Sequence, residues 1–192
     1  AVDAAVATAN RAVLSKLLPT LRPMIDAAHQ TAMQAVPEGP AKTAGIAAGE
    51  KAAADVFARR ADDNPAPESY RPHTTAGAYV PTATAAAPQW PQRKPWMMSS
   101  AAQFRPAPPP ALTSEAWARE YNEVRTLGGK ASPQRNAEQT EIGRFWEYSL
   151  PAVYHGVLRS VALQPGRNVV RNARLYAVAS QAMDDALIGV FD

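Results

Sequence analysis

Residues 41–61 read AKTAGIAAGEKAAADVFARRA. Gly45, Ala48, Gly49, Ala52 and Ala53 recur three and four positions apart, which lines them up on one side of a helix. A strip of such small side chains lets a second helix come close, so the stretch predicts a helix over Ala41–Ala61 packed tightly against a neighbour. A phosphate-cradling loop built on Gly45 and Gly49 would need a strand before it and a Gly-Lys-Ser or Gly-Lys-Thr after it. The sequence offers neither.

The same periodicity extends upstream. Val6, Val13, Leu14, Leu17 and Leu18 mark a helix from Val2 to Leu18 that Pro19 ends. Thr20 reads as the N-cap of a second helix to about Val36, with Pro23 tolerated in its first turn. Leu21, Ile25, Ala28, Ala32, Met33 and Val36 form its inner face, and Pro37, Gly39 and Pro40 make the turn that follows. Downstream, residues 62–112 hold most of the 18 prolines yet also carry Tyr70, Tyr79, Trp90, Trp96 and Phe104. A disordered linker is poor in large aromatics, so this segment predicts an ordered, extended wrap pinned to the helices by hydrophobic contact. Helical signals resume with Thr113 or Ser114 as N-cap and stop at Gly128 and Gly129. Ser132 followed by Pro133 signals the next start, leading to about Tyr148 through Ile142, Phe145 and Trp146. A further helix spans Pro151 to about Leu163, and the last begins near Arg167 and is still running at Asp192. The expected organisation is N-terminal helices (1–62), a proline-rich wrap (63–112) and C-terminal helices (113–192). Together they form one all-α, bundle-like unit of about six helices.

Composition narrows the functional classes. A net charge of +3 with 19% charged residues is weak and scattered, whereas nucleic-acid binding needs Lys and Arg clustered on one face. Arg167, Arg171 and Arg174 form only a helical stripe. The absence of cysteine excludes disulfides, thiolate nucleophiles and sulfur-ligated metals. No run approaches the roughly 18 apolar residues of a membrane span. Ala1–Ala9 lacks a basic flank and an initiator methionine, so the numbered start reads as internal to a longer product. Of the three imidazoles, His29 lies mid-helix without a ligand at metal spacing, His73 sits in the wrap beside Arg71, and His155 is on a helix next to Tyr154. Each reads as structural or as a surface residue. Asp184 and Asp185 are adjacent and point about 100° apart on a helix, which does not make a paired-carboxylate site. Asp62 and Asp63 read as solvating a helix end.

A series of motifs carries a resemblance across nearly the whole chain. In order, they are Gly45-Ile46-Ala47-Ala48-Gly49, Arg60-Ala61-Asp62, Gly77-Ala78-Tyr79-Val80-Pro81-Thr82 and Gln103-Phe104-Arg105-Pro106-Ala107-Pro108-Pro109-Pro110-Ala111-Leu112-Thr113-Ser114. Then come Tyr121-Asn122-Glu123-Val124-Arg125, Leu127-Gly128, Arg135, Glu138-Gln139-Thr140, Phe145-Trp146, Asn172-Ala173-Arg174-Leu175-Tyr176-Ala177 and Asp184-Asp185-Ala186. This order and spacing resemble the bacterial vanadium-dependent haloperoxidases, relatives of the type-2 phosphatidic acid phosphatases. One departure, Asp62-Asp63-Asn64 where a glycine often follows the aspartate, alters only a turn.

The resemblance implies an enzyme that holds vanadate in a cage of Lys, Arg, Ser, backbone N–H groups and a histidine. Such an enzyme oxidises halide with peroxide or hydrolyses a phosphate ester. The family's lysine, its downstream Arg-Pro and its Pro-Ser-Gly-His element do not occur in this sequence. The pairs Arg22-Pro23, Arg71-Pro72 and Arg105-Pro106 stand in a different context. No catalytic, cofactor-binding or metal-binding residue is therefore expected in this chain. Vanadate and its cage would belong to the complete family fold, beyond Asp192. The expectation is a non-catalytic helical scaffold whose partner is the remainder of the enzyme fold or another chain; a homo-oligomer also stays open. The alternative is a catalytically silent interaction module that pairs with a partner chain. Phe104, Arg105 and Pro106 have two readings, the rim of a substrate channel or a clamp that holds the wrap to the helices. The resemblance also implies a secreted or periplasmic location.

Overall fold

The computed structural model describes residues 1–63, 74–80, 87–148 and 150–192. Its α-helices are α1 (Val2–Leu17), α2 (Arg22–Gln34), α3 (Pro40–Arg59), α4 (Glu115–Leu127), α5 (Ala137–Phe145), α6 (Leu150–Ala162) and α7 (Val169–Phe191). Short 3₁₀ turns lie at Pro19–Leu21, Trp90–Gln92 and Ala101–Phe104. No strand occurs among the described residues, so the chain is all-α, with seven helices in place of the expected six or so.

The closest helix contact is the one that the small-residue strip predicts. Gly45 and Gly49 are buried on α3 and face α1. A Cβ on Gly45 would run into the Ala1 carbonyl and stand 2.9 Å from the Ala4 Cβ. One on Gly49 would meet the Ala5 carbonyl and stand 3.0 Å from the Ala9 amide nitrogen. The two backbones touch, and Ala4, Thr8 and Ala53 are buried in this contact region. α2 packs on the same helix, burying Ile25 and Met33, and Arg11 on α1 donates to Asp26 on α2 at 2.6 Å. The Lys42 ammonium closes the α2–α3 turn by donating to the carbonyls of Met33 (2.9 Å) and Val36 (3.2 Å) and to the Glu38 carboxylate (2.6 Å). It thereby supplies donors to carbonyls that the end of α2 leaves without helical partners. α7 crosses α1 and α6, and its fully buried Ile188 lies on the stretch that supports the two later 3₁₀ turns.

Several local expectations are corrected. α2 begins at Arg22 after a 3₁₀ turn, with Leu21 and not Thr20 at the N-cap position. α5 begins at Ala137, because Asn136 and Gln139 form a reciprocal capping box. The Ser132 hydroxyl is spent elsewhere, donating to the Thr126 carbonyl at 2.6 Å and accepting from the Gln134 amide. Within the wrap, Tyr70, the Arg71-Pro72 pair and His73, together with Pro81 and Thr82, lie outside the described residues. Tyr79 and Phe104 are exposed, whereas Trp90 and Met98 are half-buried, and the wrap also makes polar attachments to the end of α3 and to α7.

Neither α4 nor α5 makes an extended contact with another helix among the described residues. What they have is good local chemistry. Ser114 caps α4 by accepting from the Trp117 amide at 3.1 Å, and the capping box secures α5. In contrast, α1, α2 and α3 carry no side-chain N-cap bond and rely on burial.

Gly49→Ala is expected to cost about 1–3 kcal/mol by overpacking, measured by urea unfolding. Gly143→Ala in α5, where a Cβ meets nothing within 4 Å, is expected to slow amide exchange of α5, since alanine improves on glycine by about 0.8–1 kcal/mol in a helix. Equal effects at the two positions would show that the α1–α3 contact is looser than described.

Candidate functional site

The best-organised polar cluster lies where the end of α3, the segment Arg93–Met98 and the last turns of α7 meet. Asp185 on α7 is 5% exposed, and a carboxylate so placed must be hydrogen-bonded. It accepts from three consecutive backbone amides, Trp96 (2.6 Å), Met97 (2.7 Å) and Met98 (3.0 Å). Successive amides converging on an anion form a nest, here filled by the protein's own carboxylate. Asp184 accepts from the Trp96 indole N–H at 2.7 Å. Trp96 reaches both adjacent carboxylates, through its backbone amide to Asp185 and its indole N–H to Asp184.

The cluster continues to α3. Asp63 is buried and accepts from Arg60 Nε at 2.7 Å and from the Lys94 amide. Asp63 is therefore an ion-pair partner, which corrects the expectation that it solvates a helix end; Asp62 is exposed. Arg93 sits between Asp63 (3.6 Å) and Asp184 (3.5 Å). The Arg60 guanidinium also donates to the Lys94 carbonyl and lies 3.7 Å over the Trp96 ring, while that of Arg93 lies 4.5 Å over Trp90. Beside the cluster is a cleft of about 630 Å³, lined in part by Val13, Lys16, Leu17, Phe57, Arg60 and Trp96.

This arrangement fits a clamp, and it does not fit a vanadate or phosphate cage. An oxyanion needs cationic donors free to converge on it. Here Asp63 pairs with both Arg60 and Arg93, Asp184 pairs with Arg93, and these carboxylates would repel a second anion. No imidazole joins the cluster among the described residues. His29 is on α2, where its Nε2 lies 3.4 Å from the buried Thr8 hydroxyl. His155 is on α6, stacked on Tyr176 with ring centroids 6.0 Å apart, beside a groove of about 570 Å³ between α1, α6 and α7. No group of three or more His, Asp or Glu side chains able to hold a metal occurs among the described residues, and no described helix is long and apolar enough to cross a membrane.

At Phe104–Pro106, Arg105 grips Asp192 at the end of α7 with two bonds of 2.6 and 2.8 Å. That hydrogen bond, with the charge of Arg105, holds the Asp192 carboxyl below the usual carboxylate range. Phe104 is exposed. Sequence reasoning missed Asp63, Arg93 and Asp185. The one available signal was the run of aspartates near helix ends combined with arginines three or more residues away, and this does not specify burial.

Comparison with family models, with curated proteins and with solved structures returned no match to this chain.

Asp185→Asn places an N–H among three amide donors. It is expected to lower stability by about 3 kcal/mol and to shift tryptophan emission to longer wavelength; an unchanged unfolding midpoint would refute the clamp. Burial first, and then the Arg11 guanidinium, hold the His29 imidazole below its ordinary range, against a weaker pull from Asp26. The unfolded chain therefore takes up the proton first. This contribution to stability is complete above about pH 6.5 and declines as pH falls below it. His29→Gln is expected to flatten that slope. Asp26, lowered mainly by its hydrogen bond to Arg11, contributes loss only below about pH 4, so the two are separable in a pH series of unfolding curves.

Proposed function

We propose that this chain is the non-catalytic N-terminal helical scaffold of a vanadium-dependent haloperoxidase-like protein. The scaffold supplies helix surface to a larger fold, while the vanadate cage comes from outside these 192 residues. The motif series from Gly45 to Ala186 supports the family, and the clamp is consistent with a structural role.

The observation that carries the scaffold reading is the apolar surface left uncovered on the described helices. The exposed residues include large apolar side chains on four successive helices, among them Tyr121 (51%), Phe145 (58%), Val157 (55%) and Val170 (57%). The interaction-module alternative predicts a more self-contained exterior. Phe104, Arg105 and Pro106 would contribute a channel rim to the complete fold, a reading supported by the exposure of Phe104, while the Arg105–Asp192 pair supports the clamp reading.

The test pairs denaturing intact mass with a bromination assay using vanadate, bromide and peroxide. The 20.5 kDa chain alone is expected to bind an apolar dye and to show no vanadate-dependent bromination. A second polypeptide bearing the lysine and Ser-Gly-His elements is expected to restore bromination and abolish dye binding. Turnover by the 20.5 kDa species alone would overturn the non-catalytic assignment. A dye-silent monomer would favour the interaction module.

A further inference from the structure

The guanidinium of Arg135 spends its donors on both sides of the α4–α5 corner. Its Nη1 donates to the Leu127 carbonyl at 2.9 Å and to the Gly129 carbonyl at 3.0 Å, and its Nη2 donates to the Lys130 carbonyl at 3.0 Å. Its Nε donates to the Thr140 hydroxyl of α5 at 3.2 Å. A planar fork with every nitrogen engaged fixes the angle between the elements it joins. The Ser132 hydroxyl adds a second tie, to Thr126 in α4. The corner is thus cross-linked by side chains while both helices are capped from within their own sequence.

The same pair has little hold on the rest of the molecule. Neither helix makes an extended contact with another among the described residues. Four prolines in Pro106–Pro110 precede α4, and the last side-chain tie before them is the Arg105–Asp192 pair. Trp117 stacks on Tyr121 with centroids 5.0 Å apart, and Phe145 meets Trp146 edge-on at 5.0 Å. Even the aromatic contacts are made within each helix or its last turn.

We infer that α4 and α5 form one rigid lever, locked at its elbow by Arg135, which reorients as a unit relative to α1–α3 in the isolated chain. The lever carries Trp117, Tyr121, Val124, Ile142, Phe145 and Trp146 together. It is a property of these residues alone and stands or falls independently of the haloperoxidase-like reading.

Backbone ¹⁵N relaxation on the whole chain tests it. Amides of α4 and α5 are expected to share one ratio of transverse to longitudinal rates, lower than the ratio in α1–α3. In Arg135→Gln the two helices are expected to stay helical by circular dichroism, because their caps are untouched, while their relaxation ratios separate. Thr140→Val removes only the α5 side of the elbow and is expected to separate them partially, which keeps the test decisive if Arg135→Gln loses helix. A ratio in α4 and α5 equal to that of α1–α3 would show the lever docked and overturn the inference. A shared ratio that survives both substitutions would show that Arg135 is not the lock.

Discussion

A carboxylate removed from water must find hydrogen-bond donors, and Asp185 finds three of them in the backbone of Trp96–Met98. Much of the arrangement in the described residues depends on that requirement. The irregular segment is attached to α7 because its amides satisfy Asp185. The position of Trp96 then sets where Arg60 stacks, and Arg60 in turn pairs with Asp63 beyond the end of α3. Residues from three parts of the chain are joined through polar contacts of low exposure, beside the buried Ile188 and the two tryptophan rings. A composition rich in alanine and poor in aromatics leaves few large side chains for a core, and polar geometry takes over the task of fixing relative position.

The helices divide by how they are maintained. α1, α2 and α3 lack side-chain N-caps and are held by close backbone approach at Gly45 and Gly49, by buried Ile25 and Met33, and by the Lys42 ammonium on the last carbonyls of α2. Among the described residues α4 and α5 make no extended contact with another helix and instead carry Ser114, the Asn136–Gln139 capping box and the Arg135 elbow. Helices of 13 and 9 residues are marginal in water on propensity alone. Caps worth about 1 kcal/mol each matter most where burial contributes least.

The helices were legible in the sequence because their signal is local. Period, prolines and glycines place the chain in the all-α class, and the Gly45–Gly49 spacing indicates a close helix contact that the structure contains. Local signals also misled where two competed. Ser132-Pro133 has the form of a helix start, but Asn136 and Gln139 satisfy two orphan amides reciprocally and α5 begins there. The clamp was not legible. Adjacent aspartates on a helix look divergent until the partner is known, and the partner of Asp185 lies 89 residues away at Trp96. Burial of Asp63 likewise depends on Lys94, 31 positions distant. The aromatics of the wrap suggested hydrophobic attachment, and the structure adds hydrogen bonds from both N–H groups of Trp96 that the sequence does not signal.

That long separation has a kinetic consequence. Bringing together ends about 89 residues apart costs roughly 4 kcal/mol in loop-closure entropy, against almost nothing for the capping box. During synthesis, α4 and α5 can become helical as soon as they emerge, while Trp96–Met98 has no counterion until α7 has been made. The acidic pair on α7 therefore acts as a latch that closes late. Until it does, the indole of Trp96 and the amides beside it are left to water, and a pause in translation before residue 184 would prolong that exposed state.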